Sequence, residues 1–153
     1  MTQSTAPTLA PTEVLLVALG IIGLAGTWAQ VFGYLSLGFL PGNVQFWRET
    51  VATPASTFIT VDVLVLAAAL FVWMFGEGRR LGIGAGWLRS YYLASLLVAI
   101  SFALPLFLAH RHRHVRLHRP AETGVPAGAD WIAIGVAVLI ALTAAGFSLR
   151  HVP

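Results

Sequence analysis

Two acidic residues on one apolar stretch are the first candidates for chemistry. Asp62 lies inside the run 54–76, and Glu77 follows that run in the motif Trp73-Met-Phe-Gly-Glu77-Gly-Arg79-Arg80. An ionisable side chain inside a membrane-length apolar run is unfavourable in lipid, so it marks a candidate functional site. The two carboxylates are more than about 20 Å apart along a helix, so they cannot act together on one substrate bond.

Two other polar residues are predicted to lie at the depth of Asp62. Gln30 and Ser101 fall about 7 to 12 Å from the same membrane face when each apolar run is drawn as a helix. Pro105 has no amide hydrogen to donate to the Ser101 carbonyl, so a free acceptor is expected at this level. Trp73 falls on nearly the same helical face as Asp62. The candidate pocket or ligand-binding residues are Gln30, Asp62, Trp73, Ser101 and Pro105.

Asp62 has two interpretations. In the functional one it is the only acid of a polar pocket that opens to one leaflet, and the candidate catalytic residue. In the structural one it fixes helix register and is capped by Gln30, Ser101 or Arg48. Glu77 is predicted to form an ion pair at the opposite membrane boundary with Arg80 or Arg79, and the alternative is a role in headgroup binding or proton handling.

The tract 110–119 reads His110-Arg-His-Arg-His114-Val-Arg-Leu-His118-Arg119. On a continued helix, three of its histidines would form a stripe, and neutral imidazoles can bind zinc or copper. The interleaved arginines would repel a divalent cation, and no carboxylate completes a site, so no metal and no cofactor are predicted. The tract instead resembles a polybasic cap for anionic lipid headgroups. The expected contacts are Arg111, Arg113, Arg116 and Arg119.

Composition places these residues in a membrane protein. The 153-residue chain is 58% hydrophobic and 10% charged, with no cysteine, and its mean hydropathy is +0.82. These values lie outside the usual range of soluble domains. Disulfides and thiolate metal sites are excluded, and motifs for binding nucleotides or nucleic acids and for proteolysis are absent. The expected partners are the lipid bilayer and either another copy of the chain or a partner membrane protein.

Four apolar runs predict an all-α polytopic integral membrane protein, because a spanning helix needs about 20 apolar residues. The predicted spans form one bundle, and the second is expected to begin with Thr53 as N-cap and Pro54 as first helical residue. The spans are 14–35, 54–76, 91–109 and 131–149, with an N-terminal tail 1–13, a basic connection 110–128 and a C-terminal tail 150–153.

Small residues predict how the spans pack, because they let helix backbones approach in lipid. One slanted groove lies on the first span and one stripe on the fourth, and either can serve a contact within the bundle or between copies. The residues are Gly20, Gly23 and Gly26 on the first span, and Ala133, Ala137, Ala141 and Ala145 on the fourth.

Four spans place both termini on one side of the membrane. The arginines then divide almost evenly between the two faces, so the excess of basic residues on cytoplasmic loops gives little guidance. The uncharged start of the N-terminal tail favours both termini outside. The expected location is the inner (plasma) membrane of a bacterium.

Three segments together resemble a known family. They are Pro54-Ala-Ser-Thr-Phe-Ile-Thr-Val-Asp62, Trp73-Met-Phe-Gly-Glu77-Gly-Arg79-Arg80-Leu-Gly82 and Ser101-Phe-Ala-Leu-Pro105-Leu-Phe-Leu. Over residues 14–113 the chain resembles the small bacterial membrane proteins catalogued as domain of unknown function 2834. That resemblance implies three spans and no activity, so 131–149 is an extension. A shorter resemblance, limited to Asp62 and Glu77-Gly-x-Arg, points to the plant neoxanthin-synthase membrane family and implies lipid or carotenoid isomerisation.

The leading functional hypothesis is a non-enzymatic membrane component that assists a partner protein, because no set of catalytic residues is evident. The alternative is a protein that binds or isomerises an isoprenoid or carotenoid-type lipid through Asp62. A small transporter is the third hypothesis, and the presence of a single deep acid argues against it.

Overall fold

The computed structural model describes residues 9–118, 128–133, 135–136, 139–140 and 143, and within these the secondary structure is entirely α-helical. Five helices have defined bounds: α1 Pro11–Leu35, α2 Phe39–Glu49, α3 Pro54–Arg80, α4 Ala85–Leu97 and α5 Ile100–Leu117. Residues 128–133, 135–136, 139–140 and 143 are also helical, and we call this helix α6. Most of the predicted fourth span, including Ala137, Ala141 and Ala145, lies outside the described residues.

Two helices are long and apolar enough to cross a membrane, α1 with 25 residues and α3 with 27. Only 6% of the most apolar part of α1, and 22% of that of α3, is buried within the chain. The central helix of a soluble protein would be mostly buried. Most of the apolar surface of both helices is therefore open in this chain, as it is in helices that lie in lipid.

The start of α3 follows from local sequence, as predicted. Thr53 Oγ1 accepts a hydrogen bond from the amide of Ser56 at 3.1 Å, and Ser56 Oγ accepts one from the amide of Thr53 at 3.1 Å. Pro54 occupies the first helical position, where its missing amide hydrogen costs nothing. This reciprocal cap satisfies two donors that a helix start otherwise leaves unpaired.

The chain reverses direction between α3 and α4 through a glycine turn. Gly82 has a φ of +73°, a conformation that residues with a Cβ rarely adopt. Its amide donates to the Arg79 carbonyl at 3.0 Å, and the amide of Ile83 donates to the Gly78 carbonyl at 2.9 Å. These two bonds form a Schellman motif, which ends α3 and buries Ile83.

The predicted third span, 91–109, is not one helix. The chain breaks at Val98 and Ala99, and α5 returns antiparallel to α4, so that Tyr91 contacts both Phe107 and His110. With 13 residues, α4 is only about 20 Å long, which is too short to cross a hydrocarbon layer of about 30 Å. The prediction was wrong because a continuous apolar run is equally compatible with two short helices that turn back.

The turn of this hairpin packs on α1. The indole N–H of Trp28 donates to the Val98 carbonyl at 3.2 Å, so one of the carbonyls exposed by the break has a partner. An unpaired backbone group is strongly unfavourable in lipid, so this hydrogen bond stabilises the break between α4 and α5.

Glycines bring α1 and α5 into direct backbone contact. A Cβ at Gly23 would lie 2.6 Å from the Ser101 carbonyl oxygen, and one at Gly20 would lie 3.2 Å from that of Phe102. A Cβ at Gly26 would meet nothing within 4 Å. The Ser101 carbonyl, which Pro105 cannot pair, therefore lies against the small-residue groove of α1.

The buried core lies near the ends of α3 and α5 and the start of α4. It is built on aromatic contacts, with Tyr92 against Phe71 and Phe75, and Trp73 edge-on to Phe107. At the other end, α2 folds back against α1 through edge-on contacts of Phe46 with Tyr34. The helix termini at the core end of the bundle carry most of the described charged residues, and the candidate site lies there.

Candidate functional site

One end of the bundle collects most of the charged side chains of the described chain. The ends of α3 and α5 and the starts of α1, α4 and α6 meet here, because α4 and α5 form a hairpin and not one span. We call this end the charged face. Its charged and histidine residues are Glu13, Glu77, Asp130, Arg79, Arg80, Arg89, Arg111, Arg113, Arg116, His110, His112, His114 and His118.

Glu13 ties the start of α1 to the end of α5. Its Oε1 lies 3.1 Å from Arg116 Nη2 and 3.2 Å from His112 Nδ1, and its side chain is 1% exposed. Its Oε2 accepts the amide of Ala10 at 3.0 Å, which caps α1. Sequence reasoning placed Glu13 in the tail and missed this site. The signal was an acid three residues beyond a helix N-cap, a position that favours capping.

Glu77 lies between two arginines. Arg80 donates to both of its carboxylate oxygens, at 2.6 and 2.7 Å, and Arg111 from α5 donates at 2.7 Å. The Arg111 guanidinium also lies 5.9 Å from the ring centre of Trp73, within the range of a cation–π interaction. The i, i+3 pairing of Glu77 with Arg80 is the one predicted from the sequence. Arg111 was not a predicted partner, because four spans would place the end of α5 on the opposite face of the membrane.

Arg79 pairs with Asp130 and not with Glu77, for which the sequence made it the alternative partner. Its Nε and Nη2 donate to the two oxygens of Asp130 at 2.6 and 3.0 Å. Asp130 is 1% exposed, and this bidentate pair fixes the start of α6 against the end of α3. The hydroxyl of Tyr92 adds a bond to the Ala133 carbonyl at 3.2 Å.

Three of the histidines at this face contact other rings. Among the described residues there is no group of three histidine, cysteine or acidic side chains that could hold a metal ion. His110 Nδ1 lies 3.0 Å from the Tyr91 hydroxyl, and its ring is edge-on to Trp87. Burial lowers the pKa of His110, and the nearby His114 and Arg113 lower it further. His114 and His118 stack on one another with ring centres 4.4 Å apart.

The predicted lipid-contacting arginines divide into two kinds. Arg111 and Arg116 are committed to buried carboxylates, and each retains 35% side-chain exposure. In the described part of the chain the side chain of Arg113 has no hydrogen bond or ion pair, so its charge is available to headgroups. Arg119 lies outside the described residues.

This division gives a matched pair of variants on one helix. We expect Arg113→Gln to weaken the affinity of the purified protein for anionic lipid about fivefold, because an arginine near an anionic surface contributes about 1 kcal/mol, and to leave thermal stability unchanged. We expect Arg116→Gln to lower the unfolding midpoint, because it removes the cation from Glu13. Native mass spectrometry and thermal unfolding in detergent measure the two effects, and equal loss of lipid in both variants would contradict the division.

The predicted polar pocket is not assembled in the described residues. Gln30 and Asp62 are both exposed, and no hydrogen bond joins either of them to Ser101. The Ser101 hydroxyl is buried and has no partner among the described atoms. Pro105 packs near Gly20 of α1, and Trp73 belongs to the Glu77 cluster. The five predicted pocket residues therefore divide between a helix contact, an ion-pair cluster and exposed surface.

A cleft at the opposite end of the bundle was not foreseen. It has a volume of about 260 Å³ and lies between the end of α1, α2 and the turn of the α4–α5 hairpin. Its walls are mainly apolar and aromatic, with Trp28, Tyr34, Phe46 and Trp47 among them. The hydroxyl of Tyr34 bonds Glu49 beside the cleft, and this bond, with one from the Gln45 amide, lowers the pKa of Glu49.

Comparison with known proteins identifies the family. The model of the family described as protein of unknown function DUF2834 matches residues 15–113, nearly two thirds of the chain. The chain belongs to the DUF2834 family. No match was found among curated proteins or among solved structures. The matched segment begins within α1 and ends within α5, so it contains the hairpin and the Glu77 cluster, while Glu13, Arg116 and Asp130 lie outside it.

Proposed function

We propose that this chain is a non-enzymatic component of the bacterial inner (plasma) membrane that assists a partner membrane protein. The observation that carries the proposal is the state of its acids. Glu13, Glu77 and Asp130 are each held by arginine, and Glu49 is held by Tyr34 and Gln45. Carboxylates held in this way fasten helices together and are poorly placed to exchange protons with a substrate. Within the described residues, no serine or threonine hydroxyl is bonded to a histidine or a carboxylate, and the hydroxyls that are bonded to such groups are the phenols of Tyr91 and Tyr34.

The proposed topology has three crossings and a hairpin in place of four spans. Helices α1 and α3 cross the membrane, and the α4–α5 hairpin enters and leaves at the charged face. Helix α6 starts at that face through Asp130, and Leu139 and Thr143 line a cavity with Thr60 near the other end of α3. These contacts support α6 as a third crossing, antiparallel to α3.

The charged face is proposed to be cytoplasmic. It carries six of the seven described arginines, and the other end of the bundle carries Arg48. An excess of basic residues marks the cytoplasmic side. With four spans the arginines divide almost evenly between the two faces, whereas with the hairpin most of the described arginines lie on one face. The proposed orientation is therefore contrary to the expectation that both termini lie outside. The start of α1 is then cytoplasmic, and Arg113 and Arg89 face anionic headgroups.

A second candidate function is binding of an isoprenoid or carotenoid-type lipid. The aromatic cleft at the end of α1 supports it, because apolar ligands bind in concave sites lined by aromatic side chains. Asp62 is not among the residues that line this cleft, so the cleft favours binding over chemistry at that acid. A transporter is less favoured, because Asp62 is the only described acid between the charged ends of a spanning helix.

One experiment separates these functions. A photo-crosslinking amino acid is placed singly at exposed positions of α1 and α3 in cells, and the protein is also extracted in native lipid discs for lipid mass spectrometry. We expect crosslinks to one defined membrane protein from one helix face and none from the opposite face. Stoichiometric copurification of an apolar lipid, without such a crosslink, would favour the second candidate and contradict the first.

A further inference from the structure

The outward face of α3 carries an unpaired acid. We propose that this face, centred on Asp62, binds a transmembrane helix of a partner membrane protein that carries a lysine or arginine at the same depth. The inference rests on the proposed function and names the surface and the chemistry of the partner. Three features support it: the direction in which Asp62 points on α3, its depth in the bilayer, and the positions of the arginines in this chain.

Helical geometry places Asp62 opposite the packed side of α3. At 100° per residue, the buried residues Phe71 and Gly78 point within about 20° of Thr60, which bonds the Thr50 carbonyl of the α2–α3 turn at 2.8 Å. Asp62 points about 200° from Thr60. The carboxylate therefore faces away from the core, from the turn after α2 and from the described contacts of α6.

The surface around Asp62 is apolar. Phe58 is 73% exposed and Leu66 is 56% exposed, and both point within about 40° of Asp62. Trp73 points the same way and is 41% exposed, and it ends the stripe where it contacts Phe107 and Arg111 of α5. Ala69 lies between Leu66 and Trp73 on the same stripe and is also exposed. Large apolar side chains around a small residue, Ala69, and one polar residue, Asp62, are typical of a surface where two membrane helices pack.

Depth makes the lack of a partner significant. Glu77 marks the charged boundary of α3, and a hydrocarbon layer of about 30 Å corresponds to about 20 residues, which puts the other boundary near residue 57. Asp62 then lies about 7 Å inside the hydrocarbon. An aspartate side chain is too short to reach the headgroups from that depth, so a cation on a neighbouring helix is the partner that favours its charged form.

A second copy of the chain is a poor source of that cation. Between their charged starts and ends, α1 and α3 contain no lysine or arginine, and neither does the apolar run 131–149 of the proposed third crossing. Arg48, the described arginine at this end of the bundle, lies on α2 near the headgroups and not at the depth of Asp62. Charge complementarity therefore favours a different protein with a basic residue inside its own span.

A synthetic probe tests the proposal directly. The probe is a poly-leucine transmembrane peptide with one lysine placed about 7 Å inside the boundary, and its controls are the same peptide with the lysine at the bilayer centre and an all-leucine peptide. The chain has no cysteine, so Ser36→Cys gives a single site for a fluorophore. Energy transfer between full-length protein and peptide in neutral-lipid vesicles at pH 7.5 measures binding.

We expect the matched-depth lysine peptide to bind about tenfold more tightly than either control, a size typical of one polar contact between membrane helices. In Asp62→Asn this preference should disappear, and Asp62→Lys should regain it for a peptide with glutamate at the same depth. Equal binding of all three peptides to the unmodified protein would overturn the inference. Concentration-dependent energy transfer between copies that Asp62→Asn abolishes would also overturn it, in favour of a dimer. A partner crosslinked in cells from another face would leave the proposed function standing while this inference fails.

Discussion

Replacement of Gly23 by valine is expected to separate α1 from α5 and to abolish the folded bundle. An added Cβ would lie 2.6 Å from the Ser101 carbonyl oxygen and 3.0 Å from the Ser101 carbonyl carbon. Both atoms belong to the backbone of a helix, so neither can move aside as a flexible side chain would. Overpacking of this kind usually costs about 1 to 3 kcal/mol, and more where backbone must shift. Thermal unfolding followed by circular dichroism in detergent measures the loss.

Gly26→Val is the matched control, because it makes the same change one turn further along α1. A Cβ at Gly26 meets nothing within 4 Å, so its unfolding midpoint should stay close to that of the unmodified protein. If both variants unfold alike, the contact between α1 and α5 does not run through Gly23. Recovery of Gly23→Val by a second change at Ser101 is not expected, because the clash is with main-chain atoms.

Asp130→Asn is expected to release α6 from α3. The substitution keeps the size of the side chain but removes the charge that accepts two hydrogen bonds from Arg79, at 2.6 and 3.0 Å. Hydrogen bonds to charged groups contribute about 1.5 to 3 kcal/mol, and a buried group left without its partner costs more. Hydrogen exchange of amides in α6, together with the unfolding midpoint, measures the effect.

Asp62→Asn supplies the comparison, because it is the same chemical change at an exposed acid with no described partner. Its effect on the free energy of unfolding should lie within about 0.5 kcal/mol, as for most surface substitutions. Since both variants lose one negative charge, a difference between them reflects the pairing of the acid and not net charge. A larger loss in Asp62→Asn would indicate that Asp62 fixes helix register within the bundle.

Features set by neighbouring residues were predictable from the sequence. Thr53 and Pro54 mark the start of α3, and Glu77 and Arg80 share one helical face, because caps and i, i+3 pairs depend on a few adjacent positions. Composition also identified the apolar class of the chain. These inferences need no knowledge of which helices are neighbours.

Features set by distant residues were not predictable. Glu13 meets Arg116 across 103 positions and Arg79 meets Asp130 across 51. Both pairs depend on the hairpin, and the break at Val98 carries no glycine or proline that would announce it. The carbonyl that the break exposes is paired by Trp28, 70 positions earlier. Hydropathy alone predicts one membrane crossing over 91–109, because the apolar run is long enough to span the bilayer.

The hairpin also affects how the chain is inserted into the membrane. From the end of α3 to the end of α5, no polar segment has to be carried across the lipid, since both ends of the α4–α5 pair remain where α3 emerges. In the proposed topology the arginines and histidines at the end of α5 thus stay on the side of synthesis. Trp28 and Gly23 belong to α1, which leaves the ribosome before α4 and α5, so the surface that receives the hairpin turn is already in place when α4 and α5 are made. In that topology the α4–α5 hairpin can dock from the cytoplasmic side after α1 and α3 have been inserted, and α6 makes its crossing afterwards.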